Sequence, residues 1–122
     1  MDIKKWFEYG TKLAIKENRT RKITNLPFNI FIDDKYYRGA DLNNNIIEHD
    51  VTIEHYSETI NTEDETKIEN FLNKESIHFE KNREWLQDEE MWVTLYELDT
   101  FLEKIRKEGN WKCLKEVMKQ SL

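Results

Sequence analysis

Thirteen residues constrain this chain more than any others. In NIIEHDVTIEHYS (45–57), Ile47, His49, Val51, Ile53 and His55 alternate with Glu48, Asp50, Thr52 and Glu54. A period of two belongs to a β-strand, whose successive side chains point to opposite faces. One face is mostly apolar and the other acidic, which predicts an antiparallel sheet covered on one side. Fully extended, the segment spans ~40 Å. A compact domain of this length has a radius of only ~14 Å. The strand is therefore expected to project, or to pair along a long hairpin.

Around it the pattern is mixed. Ile3, Trp6, Phe7, Leu13 and Ala14 fall at helical spacing and predict a helix over about 2–16, with Asp2 at its N-terminal end and Gly10 weakening its middle. The polar, basic stretch ENRTRKITN reads as a linker. Pro27 blocks a helix before FNIFID, which predicts a strand over 28–33. DDKYYRGADLNNN reads as a connector with Gly39 and three successive Asn. Thr62 and Glu65 have capping-box spacing before a helix over about 62–75, whose apolar stripe is narrow: Ile68, Phe71 and Leu72. IHFEK (77–81) and MWVTLYEL (91–98) predict strands, with the charged NREWLQDEE as a turn or loop between them. Residues 99–120 read as helical with a break at Gly109, and their second part carries Trp111, Leu114, Val117 and Met118 on one stripe. Phe28, Phe71, Phe79 and Trp111 fit core positions. The expectation is one α+β domain over 1–122: a mainly antiparallel four-stranded sheet (28–33, 45–57, 77–81, 91–98) covered by helices (2–16, 62–75, 99–120).

The chain has 122 residues, enough for one core. Six Phe, five Tyr and four Trp argue against disorder throughout. No stretch has the ~18 apolar residues of a membrane span, and no apolar signal core opens the chain. One cysteine, Cys113, excludes an intramolecular disulfide and a multi-cysteine zinc site, and fits a reducing cytosol. Charge is segregated. Residues 1–25 hold seven basic and three acidic side chains, residues 103–122 six and three, and the middle six and nineteen. The acidic middle repels nucleic acid over most of its surface, and basic ends against an acidic body offer a way to pair with further copies; a merely solvated surface fits equally.

Catalytic patterns are absent. There is no GxGxxG, P-loop or HExxH. His49 and His55 share a strand face but sit ~20 Å apart along it, too far to share one metal ion. Hydrogen-bonded, partly buried histidines are the expectation. Cys113 has no histidine near it in sequence and reads as a small core residue. The acidic runs Glu63–Glu65 and Asp88–Glu90 read as solvated helix-start and turn residues. No catalytic, metal or cofactor residue is assigned, and an enzyme is not expected. Tyr36, Tyr37 and Arg38, in a polar stretch with Asp41 close by, have the composition of interface anchors, as do Trp85 and Trp92. Packing of Trp92 beneath the terminal helix is the plain alternative.

The central run NLPFNIFIDD…YYRGADLNN…EHDVTIEHYSE…DETKIENFLNKESIHFEKNREWLQDEEMWVTLYEL resembles small phage tail terminator (tail-completion) proteins of Gram-positive bacteria and their prophages. The resemblance covers about residues 25–99. It lies in the order of Pro27 and Phe28 before a strand, Gly39–Asp41 before the long strand, the ending VTIEHYS, Ile68–Leu72 in an acid-rich helix, and the last two strands. The basic N-terminal part looks longer than is usual there, and the stretch from Asn110 is an unmatched extension.

The resemblance implies a virion structural protein, made in the bacterial cytoplasm, that forms a ring, usually a hexamer, on the head-proximal end of the tail tube. The ring ends tube polymerisation and offers a docking surface for the head connector or a cap. Implied partners are sister copies, the tube protein, a sheath where the tail is contractile, and DNA passing through the lumen; no membrane is involved. Glu48, Asp50 and Glu54, or Asp88, Glu89 and Glu90, are the candidates for an acidic lumen wall. A head–tail connector or stopper is the nearest alternative, and a monomeric acidic binding or inhibitor module the next.

Overall fold

The computed structural model describes residues 1–17, 25–38 and 46–104. Helix α1 (Ile3–Thr11) starts where the Asp2 carboxylate accepts from the Lys5 N–H at 3.1 Å, and it buries Ile3, Phe7 and Thr11 at i, i+4 and i+8. It ends five residues earlier than expected. Lys12 takes a left-handed φ of 64° and its N–H returns to the Glu8 carbonyl at 2.9 Å. The Glu8 side chain then accepts from the Ile15 N–H at 3.0 Å, and the chain turns into β1 (Lys16–Glu17).

Next come β2 (Phe28–Asp33), β3 (Tyr36–Arg38), β4 (Ile46–His49), β5 (Val51–Ser57), α2 (Thr62–Lys74), β6 (Phe79–Leu86), β7 (Met91–Leu98) and β8 (Phe101–Lys104). They form two sheets, ordered β1-β2-β5-β7-β6 and β3-β4-β8. Every pairing is antiparallel except β1 with β2. The α+β class holds, but the expected four-stranded sheet is replaced by five strands and a second, smaller sheet.

The register explains the division. β2 leads into β3, β4 into β5, and β7 into β8, and the same neighbours recur on both sides of the gaps. Three long strands are thus interrupted at one level, by Asp34–Lys35, Asp50 and Asp99–Thr100. Residues 46–57 form a long hairpin arm, as one expectation had it, but a bent one. Its odd residues from Ile47 to Ser57 are buried on both sides of the bend.

A polar trio ties the bend. His49 lies between the carboxylates of Asp33 and Glu103, with Nδ1 and Nε2 each 2.6 Å from an oxygen. The Phe101 ring stacks on His49 at 5.0 Å, and the Met1 amino group meets Glu103 at 2.9 Å.

Both helices lie on one face of the larger sheet. Ile3 and Phe7 of α1 and Ile68, Phe71 and Leu72 of α2 share the core with Phe31, Val51, Ile53, Tyr96 and Leu98. Phe79 is half-buried against this core; Phe28, expected there too, is half-buried beside Tyr56 on the other face of the sheet. Gly10 sits where α1 crosses α2, and a Cβ there would overlap the Phe71 ring. The residue that weakens α1 by propensity is the one that lets the helices meet.

Three further expectations change. Asn61, not Thr62, caps α2, accepting from the Asp64 N–H at 3.3 Å. Glu65 does not complete a capping box; it is buried against the sheet. There it accepts from Arg83 Nη2 and Nε, from Thr94 Oγ1 at 2.7 Å and from Lys81 Nζ at 3.0 Å. Those partners explain why β6 runs on to Leu86, through residues expected to be a loop. Its helix-facing Lys81 and Arg83 find carboxylates instead of an apolar core. Finally, residues 101–104, expected to be helical, form β8 because Phe101 and Glu103 are drawn to His49; the remainder of that expected helix, with Trp111 and Cys113, lies outside the described residues.

Two measurements follow. Alanine gains about 1 kcal/mol over glycine in an exposed helix, whereas overpacking a core costs about 1–3 kcal/mol. Gly10→Ala is expected to lower the unfolding temperature; a rise would show that Phe71 yields freely. Burial alone would raise the Glu65 carboxyl, but donation from Arg83, Thr94 and Lys81 holds it down at about 2, against 4.5 for the unperturbed group. Such a gap stabilises the fold by roughly 3 kcal/mol above the unfolded value, lost as pH falls from about 5 towards 2. Urea unfolding across that range should be steeper in pH for the parent than for Glu65→Gln, and parallel curves would contradict this.

Candidate functional site

Chemistry inside the fold is already committed to structure. Both His49 nitrogens are engaged. His55 is buried on β5, with Nδ1 2.6 Å from Asn29 Oδ1, while Asn29 Nδ2–H donates to the Ala14 carbonyl at 3.0 Å. That amide orientation puts the ring proton on Nδ1, and burial lowers the His55 pKa below its ordinary value. Nε2 and the buried Ser57 hydroxyl have no partner among the described residues. A cavity of about 440 Å³ opens between Leu26–Pro27 and the link Ser57–Glu63. Its lining has hydroxyls and two carboxylates but no histidine, lysine or cysteine to activate a nucleophile. Among the described residues no cluster of His, Cys, Asp and Glu is arranged to hold a metal ion, and no helix is long and apolar enough to cross a membrane.

The surface is more informative. Tyr36 and Tyr37 are not in a loop but on β3, the edge of the smaller sheet, and their side chains are 55% and 61% exposed. Consecutive strand residues point to opposite faces, so both faces of this edge are open. Arg38 follows in the same strand, its backbone paired with Ile46; Asp41 lies outside the described residues. Trp85, 40% exposed, sits on β6 directly opposite Trp92 of β7. The two indoles meet edge-on at 5.3 Å, and Trp85 Nε1–H donates to Gln87 Oε1 at 3.0 Å. The five described aromatic and basic candidates thus form two groups, at opposite edges of the bent sheet: β3 continues β2, while β6 lies beyond β7.

The acidic candidates fall in three places. Glu48 stands opposite Tyr36 on β4. Asp50 occupies the bend, its N–H donating to Asp33 Oδ1 at 3.2 Å and its carbonyl accepting from the Asp34 N–H at 3.0 Å. Glu54 lies on the helix-free face, accepting from the Tyr56 hydroxyl. Asp88, Glu89 and Glu90 form the exposed β6–β7 turn, where Glu90 has a φ of 52°.

Two surface features escaped the sequence reading. Tyr9 is exposed on α1, with Lys12 Nζ 4.7 Å from its ring centre. The free edge of β6 carries Glu80, Lys81, Arg83 and Glu84, and polarity on both faces is itself the sign of an edge strand.

Comparison with known protein families, with curated proteins and with solved structures gives no match.

If the exposed rings serve a partner and not the fold, removing them should be cheap. Tyr36→Ser and Tyr37→Ser should each change unfolding stability by no more than about 0.5 kcal/mol. Trp85→Ser should cost about 1 kcal/mol through its contact with Trp92. Urea denaturation measures both, and a loss of several kcal/mol at either tyrosine would make it a core residue.

Proposed function

We propose that this chain is a structural subunit of a phage or phage-like tail, a tail terminator that forms a ring on the head-proximal end of the tube. The reading rests on the order of motifs from Pro27 to Leu98. The observation that carries it in the fold is the pair of open edges, β3 and β6, each bearing exposed aromatic side chains. A ring needs two different surfaces on each copy, one to give and one to receive. Two unlike edges, β3 on the smaller sheet and β6 on the larger, meet that need.

In this role the chain makes and breaks no bond. The ring covers the last tube layer, so no further tube subunit adds, and its far side receives the head connector or a cap. Passing DNA must not adhere. The three exposed carboxylates of the β6–β7 turn, Asp88, Glu89 and Glu90, suit a lumen wall that repels phosphate. Glu48, Asp50 and Glu54 are less suited, because they are half-buried and the Glu54 carboxylate already accepts from the Tyr56 hydroxyl.

Particles assembled without this chain, viewed by electron microscopy, are expected to carry over-long tails. Tails of normal length without heads would contradict termination and indicate a connector. Reversing the turn charges, with Asp88→Lys, Glu89→Lys and Glu90→Lys together, is expected to leave rings intact and impair DNA passage; loss of the rings would overturn the lumen assignment.

A further inference from the structure

Among the described residues, β6 has a strand neighbour on one side only, and its residues 80–85 are exposed on both faces. Such an edge is a template for another strand unless its side chains prevent it. They set like charges together in the central registers of a second β6. Lys81 and Arg83 face the helices, as their contacts with Glu65 require, so odd positions lie on the helix side. Two copies joined by β6 antiparallel, helices on the same side, must set odd positions against odd. A register centred on Lys81 opposes Lys81 to itself. Centred on Asn82, it opposes Lys81 to Arg83 and Glu80 to Glu84. Centred on Arg83, it opposes Arg83 to itself. Like charges directly opposite destabilise a strand pair.

The β3 edge has the complementary pattern. Tyr37 stands opposite Ile47, which is buried on the helix side, so Tyr37 belongs to the helix side and Tyr36 to the other. An antiparallel alignment that matches helix sides sets Tyr37 against Arg83 and Tyr36 against Glu84. A guanidinium and a tyrosine ring attract, and a tyrosine hydroxyl donates to a carboxylate. Just before β3, the same alignment brings Lys35 beside Trp85, where an ammonium and an indole attract, whereas the parallel alignment through the same pair brings it beside Lys81.

We infer that β6 of one copy and β3 of the next join as antiparallel neighbours, so that the sheet continues from subunit to subunit. The contact uses two different edges, so it propagates head to tail and closes as a ring instead of stopping at a dimer. This rests on the ring reading above and names its seam.

Cross-linking tests the seam in the full chain with Cys113→Ser. Tyr36→Cys and Glu84→Cys are oxidised separately and mixed. The seam predicts a covalent dimer in the mixture and none in either protein alone, and a ladder when one chain carries both changes. Arg38→Cys with Asn82→Cys reads the same register two residues along and should behave alike. Dimers of Glu84→Cys alone, dimers of Tyr36→Cys alone, or no cross-link with either pair would overturn the seam. Electron microscopy of tube ends bearing the unmodified protein separates the two claims. Rings without the cross-link leave the terminator reading standing and remove the seam; neither rings nor cross-link removes both.

Discussion

The contact on which this fold most depends is His49 held between Asp33 and Glu103. Its three members come from the end of β2, the end of β4 and the middle of β8. Each belongs to a strand that is interrupted at the same level, so the trio sets the angle at which the smaller sheet leaves the larger. Charged groups buried this way add little stability over well-packed apolar side chains, but removing one strands the others at a cost of about 3–5 kcal/mol. Their role is geometric. They fix β3 in relation to β6, and therefore the two edges on which the proposed assembly relies.

The Glu65 cluster serves the second edge. An eight-residue strand with lysine and arginine on its helix side would otherwise present unpaired cations to a core. Glu65 and Glu69 of α2 take up Lys81, Glu65 takes up Arg83, and the Tyr96 hydroxyl donates to Glu69 at 2.9 Å. A strand too polar to bury is thereby held on the sheet, with no strand beyond it among the described residues.

Much of this was legible in the residues, and the exceptions have physical causes. β2 and β7 lie where their apolar and β-branched runs put them, because those runs are buried. The break at Asp50 left no mark, since the alternation of buried residues passes through it unchanged, and the cause of the bend lies in partners far along the chain. β6 was legible only to Lys81, because its remaining residues are polar on both faces and the carboxylates that accept its cations belong to another element. β3 was hidden among loop-like residues for the same reason, an edge having little to bury. The candidate rings at Tyr36, Tyr37 and Trp85 were recognisable as out of place in polar stretches. Their assignment to two opposite edges required the topology.

A bent sheet locked by a buried trio, with two unlike strand edges among the described residues, is the subunit that the proposed assembly calls for. Mass measured under native conditions, over a series of rising concentrations, tests that most directly. The account predicts that the 14.9 kDa chain gives way to one closed species of defined copy number. A single-chain mass at every concentration, including those at which tube ends are saturated with this protein, would contradict it.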